Sequence, residues 1–299
     1  MIATRSLRSS RKWFLCLCLA PSLAVLTVIT LLPLLYLFVT SFTPLNLTRP
    51  GTEWDLSKPL VNYASLTADT RYLNSLWIQL KLSFWTVTLQ LALGFLFALL
   101  LNVPTGLMRA RRTVFLIPMV LPPIVVAIIW KVIYTPDISP MHWGLRAIGW
   151  DIPALITDPN WALTAIIIAD TWEWFPLTML MILAGLQTIP EDLIDAAKVD
   201  GASRLQSTWH VVVPYIRGTL MVAGVLRLID SIKAFPLIYL LTDGGPGSVT
   251  EVTNYYAFQQ AFNFSFLGYS SAITMGLVVA VLLLSWFIVR MTGWGAADD

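Results

Sequence analysis

The sequence predicts an all-α, polytopic membrane protein with six transmembrane helices. Of its 299 residues, 57% are hydrophobic and only 12% are charged, which is too few charges to cover a water-soluble surface. The hydrophobic residues gather into six stretches, each close to the roughly 20 helical residues that cross a hydrocarbon core of about 30 Å. A net charge of +2, with no basic cluster interleaved with aromatic residues, argues against nucleic acid as a partner.

The chain is expected to form one transmembrane domain, residues 13–299, after a cytoplasmic tail of residues 1–12. The predicted spans run approximately over residues 13–42, 77–103, 114–130, 163–186, 216–241 and 272–289.

The first span follows a basic tail, as a secretory signal peptide also would. It is uncharged from Trp13 to Thr48, far longer than the ~7 to 15 apolar residues of a signal core. Cleavage would leave five spans with the loops inverted, so we expect an uncleaved anchor. Cys16 and Cys18 lie inside this span with one residue between them, and they form neither a CxxC redox pair nor a useful disulfide.

Basic residues predict the orientation of the spans. The N-terminal tail carries four basic residues and no acid, and the loop after the second span carries Arg109, Arg111 and Arg112 and no acid. Loops enriched in Lys and Arg stay in the cytoplasm. Six crossings then place both termini and residues 188–214 in the cytoplasm.

Prolines predict irregularities in two spans. The third span contains Pro118, Pro122 and Pro123, and it is expected to kink because proline removes a backbone donor and clashes with the preceding turn. In the fifth span, Pro236 is expected to break the helix. The chain from Leu237 onward would then be a re-entrant or external segment.

A polar segment, residues 188–214, separates the fourth and fifth spans and is predicted to form a helix, a bend and a second helix. Thr188 and Glu191 have the spacing of a capping box, and Gly201 permits the chain to turn. By composition alone, the segment is equally a surface loop that caps two membrane helices. One polar face at helical spacing is formed by Glu191, Asp195 and Lys198.

The spacing within this segment resembles the cytoplasmic "EAA" loop of ABC importer permeases, the coupling helix by which a membrane subunit docks on its ATPase. Asp195, Ala196 and Ala197 are followed after three residues by Gly201, and later by Pro214. Asp195 stands where the family usually has Glu, which keeps the charge. The resemblance implies ATPase-coupling roles for Glu191, Asp195, Ala196, Ala197, Asp200, Gly201 and Pro214.

The resemblance covers roughly residues 160–275 and is strongest to the carbohydrate-importing branch, the maltose-type permeases. It includes the run AGLQTIP that ends at Pro190 and the run LTDGGPG that begins at Leu241. The second run resembles the first of the two paired permeases of that branch. The contact with an extracytoplasmic binding protein that the resemblance implies falls on Thr242, Gly244, Gly245 and Pro246.

The same resemblance implies the partners and the location of the chain. The partners would be a second homologous permease, two ATPase subunits, an extracytoplasmic solute-binding protein and membrane lipid. No cofactor is expected in this chain, because ATP and Mg would be bound by the ATPase. The Gly-rich run of residues 243–247 lacks the lysine of a P-loop. The location would be the cytoplasmic (inner) membrane of a bacterium or archaeon.

Two clusters of polar residues inside the fourth and fifth spans are candidates for the solute path. A charge at mid-bilayer costs about 3 kcal/mol on insertion scales, so such residues face protein or water. Carboxylates accept hydrogen bonds from sugar hydroxyls, and aromatic faces cover apolar C–H patches. The structural alternatives are an ion pair bridged by Asp230 and simple aromatic packing. The candidates are Asp170, Trp172, Glu173, Arg227, Asp230 and Lys233.

The expected cargo is a sugar, an oligosaccharide, or a sugar-like polyol or phosphodiester. One alternative is the same fold importing an amino acid, phosphate or a compatible solute, against which the LTDGGPG run argues. The other is an ion-driven secondary transporter in which Asp170, Glu173 and Asp230 carry protons or sodium. A coupling loop argues against that alternative, because an ion-driven carrier has no ATPase to dock.

Overall fold

The computed structural model describes residues 3–102 and 112–292, and within them the chain is built from helices joined by turns and loops. The helices are α-helical except for π-helical stretches at Thr208–Val212, inside α9 below, and at Gln259–Asn263, directly after α12. Arg109 and Arg111, on which part of the predicted orientation rests, lie outside the described residues. In chain order the helices are α1 (Ala3–Ser41), α2 (Val61–Ala68), α3 (Thr70–Leu101), α4 (Ile117–Val120), α5 (Pro123–Tyr134), α6 (Pro140–Ala147), α7 (Ala162–Leu186), α8 (Glu191–Val199), α9 (Arg204–Tyr215), α10 (Arg217–Ile232), α11 (Pro236–Leu241), α12 (Thr253–Phe258) and α13 (Leu267–Thr292).

Four helical segments in the described part of the chain are long and apolar enough to cross a membrane. They are Leu17–Ser41, Thr70–Leu101, Ala162–Leu186 and Leu267–Phe287, and they correspond to the first, second, fourth and sixth predicted spans. Helices α9 and α10 form a fifth candidate if the pair, bent by 70°, is counted as one span. The all-helical, membrane-type fold class is confirmed, while the count of six stays a prediction.

The third predicted span, residues 114–130, is not one continuous kinked helix. Helix α4 ends at Val120, the next residue is extended with ψ of 139°, and α5 begins at Pro123 and continues to Tyr134. Two consecutive prolines supply no backbone donors, and each disfavours helical angles in the residue before it. The 12 residues of α5 rise only about 18 Å, less than a hydrocarbon core.

The fifth predicted span, residues 216–241, is broken near Pro236, the residue from which a break was predicted. Helix α10 ends at Ile232, and α11 starts at Pro236. Proline is favoured in the first turn of a helix because the missing N–H would have no partner there anyway. Pro236 therefore begins a new short helix, and the re-entrant or external placement of the chain from Leu237 onward stays a prediction.

The chain divides into two compact units, Met1–Ala68 with Ala257–Gly276, and Asp69–Tyr256 with Leu277–Asp299. In the first unit, Thr40 donates a hydrogen bond to the hydroxyl of Ser271 at 2.9 Å. The amide of Asn62 donates to the carbonyl oxygens of Ser41 and Thr43 at 2.9 and 2.8 Å. Side-chain hydrogen bonds therefore tie α2 and α13 to the end of α1.

In the second unit, α3 packs closely against α7. A Cβ added at Gly94 would lie 2.9 Å from the backbone nitrogen of Met179 and 2.9 Å from the Thr178 side chain, so only glycine permits this approach. Small residues at such crossings are typical of membrane helices. The buried apolar core beside the crossing consists of Ala98, Leu101, Met179, Ile182, Leu183, Leu186, Val212 and Ile216.

A buried polar stripe runs along α3. Its members lie on one face because they are three or four residues apart: Ser75, Gln79, Ser83, Thr86 and Gln90. Ser231 of α10 donates to the Ser83 hydroxyl at 2.8 Å, and Gln79 donates to the Ser231 carbonyl at 3.2 Å. The stripe therefore attaches α10 to α3 in an environment where unpaired polar groups are costly.

We predict that Gly94→Val lowers the free energy of unfolding of the detergent-purified protein by about 1 to 3 kcal/mol, because the new side chain overpacks the crossing of α3 and α7. The loss is measured as a lower melting temperature. The matched control is Gly218→Ala, a helical glycine whose added Cβ meets no atom within 4 Å. The control is expected to be neutral or slightly stabilising. Equal melting temperatures for both variants would contradict the close approach.

Candidate functional site

A cavity of about 210 Å³, whose lining includes five charged side chains, lies where the two broken spans meet α7. The prolines that interrupt the helices place the start of α5, the end of α10 and the start of α11 around it, as in transporters whose sites are formed by discontinuous helices. The cavity is lined by Pro123, Asp170, Glu173, Trp174, Arg227, Asp230, Lys233, Ala234, Pro236 and Leu237.

Arg227 is the central charge of this site, and its side chain is 1% exposed. Its Nε donates to Gln90 Oε1 at 2.8 Å. The amide nitrogen of Gln90 in turn donates to Asp170, at 2.8 Å to Oδ2 and 3.1 Å to the carbonyl oxygen. Gln90 therefore connects a buried cation on α10 to a buried acid on α7.

Asp230 lies between two bases on α10. Arg227 Nη1 is 3.3 Å from its Oδ2, and Lys233 Nζ is 3.8 Å from its Oδ1. The spacing of three residues predicted this arrangement, but not its gradient of burial. The exposed fraction of the side chain rises from 1% at Arg227 to 46% at Asp230 and 70% at Lys233, so the row leads from the packed interior to the mouth of the cavity.

Of the two tryptophans in this part of α7, it is Trp174 that lines the cavity. The guanidinium carbon of Arg227 lies 4.7 Å from the centre of its indole ring, a cation–π contact. Trp172, which the sequence favoured, packs edge-on against Trp130 with ring centres 5.8 Å apart. The two residues are two positions apart, so a helix directs them about 200° from each other.

Gln90 was not among the residues predicted from the sequence. The sequence nevertheless indicates this residue, because Gln90 continues the spacing of the polar stripe on α3 through an otherwise apolar span. Polar residues at such depth in a membrane helix face the bundle interior and bind neighbouring helices. The partners of Gln90, however, lie on two other helices, and no local spacing identifies them.

The polar segment of residues 188–214 forms the predicted helix, bend and helix, with a different start. Helix α8 begins after Pro190 and has no side-chain cap. The Thr188 hydroxyl donates instead to the Gly185 carbonyl at 2.8 Å, where it caps the end of α7. The capping box predicted for Thr188 and Glu191 is therefore not formed, and a reciprocal capping box is found at Ser203 and Gln206, where α9 begins.

The bend between α8 and α9 is made by Gly201, whose φ is +77°. This left-handed conformation is typical of the residue that follows a helix. Asp200 is the C-cap of α8, and its N–H donates to the Ala196 carbonyl at 3.0 Å. The next residue, Ala202, donates to the carbonyl of Ala197 at 2.9 Å. Pro214 lies near the end of α9, close to the bend into α10.

Helix α8 has one charged side and one exposed apolar side. Lys198 Nζ pairs with Asp195 Oδ1 at 2.7 Å, and both residues line an open cleft of about 760 Å³ together with Glu191. Ala197 is buried, whereas Val199 is 87% exposed.

The predicted external contact residues form a compact turn after α11. The hydroxyls of Thr242 and Thr250 are 2.8 Å apart, and Thr250 donates to the Gly245 carbonyl at 2.8 Å. A Cβ at Gly244 would lie 2.6 Å from the ring of Tyr255. Gly245 and Pro246 are joined by a cis peptide bond.

The start of α3 is bonded to the chain that follows this turn. Arg71 donates from Nε and Nη2 to the Glu251 carboxylate at 2.7 and 2.8 Å. Asp69 caps α3 and accepts a hydrogen bond from the Tyr256 hydroxyl at 2.6 Å. Burial, together with this bond to Asp69, raises the pKa of Tyr256. These long-range pairs were not predicted from the sequence.

Residues 90–292 match the family model described as "Binding-protein-dependent transport system inner membrane component". The chain is 35% identical to the trehalose/maltose transport system permease protein MalF of Thermococcus litoralis, over 92% of this chain and 91% of that protein. It is 32% identical to the sulfoquinovosyl glycerol transport system permease protein SmoG of Agrobacterium fabrum, over 87% of this chain and 83% of that protein.

The fold is similar to that of a chain in the crystal structure of a bacterial alginate ABC transporter in complex with an alginate pentasaccharide-bound periplasmic protein. The TM-score is 0.83 at 21% identity, and the match covers 97% of each chain. At that identity the likeness concerns the fold alone.

We predict that Gln90→Leu lowers the free energy of unfolding by about 1 to 3 kcal/mol, because it removes an acceptor from buried Arg227 and a donor from buried Asp170. The control is Thr88→Leu on the exposed side of α3, which is expected to change stability by less than about 0.5 kcal/mol. Thermal unfolding in detergent measures both. A Gln90→Leu variant as stable as the wild type would refute the bridging role.

Proposed function

The chain belongs to the family of binding-protein-dependent transport system inner membrane components, and we propose that it is one permease of an ATP-driven importer of a sugar or sugar-like solute. The observation that carries the proposal is the cavity inside the helical bundle. The Asp230 side chain is 46% exposed and can accept hydrogen bonds from solute hydroxyls, and the indole of Trp174 lines the same cavity. The names of similar permeases, for trehalose and maltose and for sulfoquinovosyl glycerol, support the solute class.

In this proposal the chain crosses the inner membrane of a bacterium or archaeon six times, with both termini in the cytoplasm. The broken segments supply the two crossings that no single long helix supplies: α4 with α5, and α10 with α11. Broken helices are tolerated at membrane depth where they are buried in protein or line a water-filled cavity. The position of the cavity at both breaks supports this arrangement.

The segment α8 to α9 would dock on an ATPase subunit, which binds the ATP and Mg. The docking residues are Glu191, Asp195, Ala196, Ala197, Asp200, Gly201 and Pro214. Helix α9 leads through a 70° bend into α10, and α10 carries Arg227 and Asp230. A displacement of the docking segment when the ATPase closes would therefore reach the cavity through one continuous stretch of chain.

On the external side, the turn that includes Thr242, Gly244, Gly245 and Pro246 would contact a solute-binding protein. Helix α11 connects this turn directly to the cavity, since its first residues, Pro236 and Leu237, line it. A second, related permease would complete the solute path. The binding protein supplies most of the affinity, and alternation between outward and inward states moves the solute.

Two other functions make different demands on the chain. An importer of amino acids, phosphate or compatible solutes would share the fold and the docking segment. An ion-driven carrier would use Asp170, Glu173 and Asp230 for protons or sodium and would leave α8 without a partner. The family match favours the ATP-driven importer over the carrier.

We predict that the importer, reconstituted in proteoliposomes with its partner permease, ATPases and binding protein, takes up solute only when ATP and the solute-loaded binding protein are both present. Uptake of radiolabelled solute measures this requirement. An imposed proton or sodium gradient without ATP is the control and is expected to drive no uptake. Uptake under the gradient alone would contradict the proposal.

We predict that Gly201→Asp reduces uptake at least about tenfold and weakens co-purification with the ATPase, since a side chain at this left-handed position strains the bend. Gly149→Asp is the matched control. Gly149 also has a positive φ, +82°, and open space around it, but it lies between the third and fourth predicted spans, on the external side of the predicted topology. Its variant is expected to keep normal uptake, and equal losses in both variants would contradict a docking role for α8.

A further inference from the structure

Helix α6 and the turn after it present three large apolar side chains to the surroundings. Trp143 is 58% exposed, and Ile148 and Trp150, in the turn that ends the helix, are 73% and 68% exposed. The side of α6 that faces the bundle carries His142, which is fully buried. A patch of two indoles and an aliphatic side chain marks a surface that meets a membrane or another protein. We call Trp143, Ile148 and Trp150 the α6 patch.

The start of α6 is attached to the rest of the bundle by polar contacts. Ser139 caps the helix, since its hydroxyl accepts a hydrogen bond from the His142 N–H at 3.2 Å and donates one to the Ile133 carbonyl of α5. The His142 ring lies 3.5 Å, measured from Nε2, from the carbonyl oxygen of Pro153. These contacts fix the direction in which the opposite, apolar side of the helix points.

The end of α6 holds the other two members of the patch in place. Gly149, with a φ of +82°, donates its N–H to the Arg146 carbonyl at 3.0 Å, and Trp150 donates its N–H to the Leu145 carbonyl at 2.9 Å. This is the glycine-containing end that is common in helices. Arg146, the base of this helix, pairs with Asp151 at 3.0 Å. The patch is therefore a formed surface, and its neighbouring charges already neutralise each other.

The apolar surface continues from the α6 patch onto α5. Ile124, Ile128 and Val132 are exposed and four residues apart, so they form one row along α5. Ile138, between the two helices, is exposed as well. Helix α5 belongs to the crossing proposed for α4 with α5, in which an exposed aliphatic row faces lipid. The patch extends that row, which favours lipid as its partner over a soluble protein.

The length of α5 places α6 at the height of the membrane surface. The break between α4 and α5, at residues 121–122, falls in the middle of the third predicted span, residues 114–130. From there the 12 residues of α5 rise about 18 Å, and half of a hydrocarbon core is about 15 Å. Helix α6 starts six residues after α5 ends. Its height is therefore that of the membrane–water interface, where tryptophan is enriched.

We propose that α6 is an interfacial anchor, with Trp143, Ile148 and Trp150 inserted among the headgroups and upper acyl chains of phospholipids in the external leaflet. Helices that lie in the interface bury their apolar side about 5 to 10 Å deep. The anchor would hold the external end of α5 at the membrane surface, while Pro123 at its other end lines the cavity. This inference rests on the proposed crossing of α4 and α5 and is independent of the cargo.

The test measures what surrounds the patch by electron paramagnetic resonance. Cys16 and Cys18, the two cysteines of the chain, are replaced by serine, and a spin label is attached to Ile148→Cys. The labelled chain is studied in phospholipid nanodiscs, alone and within a complete importer whose other cysteines are also replaced. Power saturation compares collisions with oxygen, which concentrates in lipid, and with a water-soluble nickel chelate. The control is a label at Thr157→Cys, an exposed polar position later in the same loop.

We expect the ratio of oxygen to nickel accessibility to be at least about threefold higher at position 148 than at position 157, because only the first is inserted. The ratio at 148 should be the same in the chain alone and in the complete importer. Equal ratios at the two positions would place the patch in water and overturn the inference. Exclusion of both reagents from position 148 in the complete importer would also overturn it, because a protein partner would then cover the patch.

The indoles are tested by a double substitution, Trp143→Ser with Trp150→Ser. We expect it to lower the ratio at position 148 at least about twofold, because the anchor loses its two aromatic side chains. Trp143→Phe with Trp150→Phe should keep most of the ratio, which separates loss of apolar surface from loss of fold. Trp209→Ser, which removes an equally exposed indole on α9, should leave the ratio unchanged.

An unchanged ratio in the double serine variant, or an equal fall in the double phenylalanine variant, would contradict anchoring by these side chains. The ATP-dependent uptake assay tests the proposed function separately. An importer that takes up solute normally while position 148 is in water would keep that function and refute only the anchor.

Discussion

The buried guanidinium of Arg227 is the interaction on which the membrane part of this protein depends. It contacts three helices at once: α3 through Gln90, α7 through the ring of Trp174, and its own α10 through Asp230. A lone charge at that depth would be costly, so the surrounding helices must be arranged to satisfy it. The packing of the bundle and the chemistry of the cavity are therefore set by the same contacts.

The polar stripe on α3 shows how an apolar medium favours hydrogen bonds between helices. Lipid offers no hydrogen bonds, so Ser83 and Gln79 must find partners on the neighbouring helix, and they find them on Ser231. Gln90 does the same for charged groups, because it hydrogen-bonds Arg227 and Asp170 on two other helices. The stripe limits how far α10 can slide along α3 without losing hydrogen bonds, while the glycine at position 94 keeps α3 and α7 close. Motion of α10 at its ends is less restricted, because the chain is broken there.

Local features of the sequence predicted local features of the fold. Apolar length identified the long spans, proline identified both breaks, and Gly201 identified the bend, because each effect acts on the residue that carries it. Features that depend on which helices become neighbours were missed. Gln90 joins residues 80 and 137 positions away, the indole beside Arg227 is Trp174 rather than Trp172, and the hydroxyl of Thr188 caps the helix behind it rather than the one ahead.

The length of α3 has a mechanical consequence. Its 32 residues rise about 48 Å, well beyond a hydrocarbon core of about 30 Å, so the helix must tilt or project from the bilayer. Its projecting end holds Arg71, which is clamped to Glu251 in the segment that follows α11. A change in tilt of about 10° about the helix midpoint, about 24 Å from this end, would move the end sideways by about 4 Å, so a small rotation inside the membrane becomes a larger displacement at the surface.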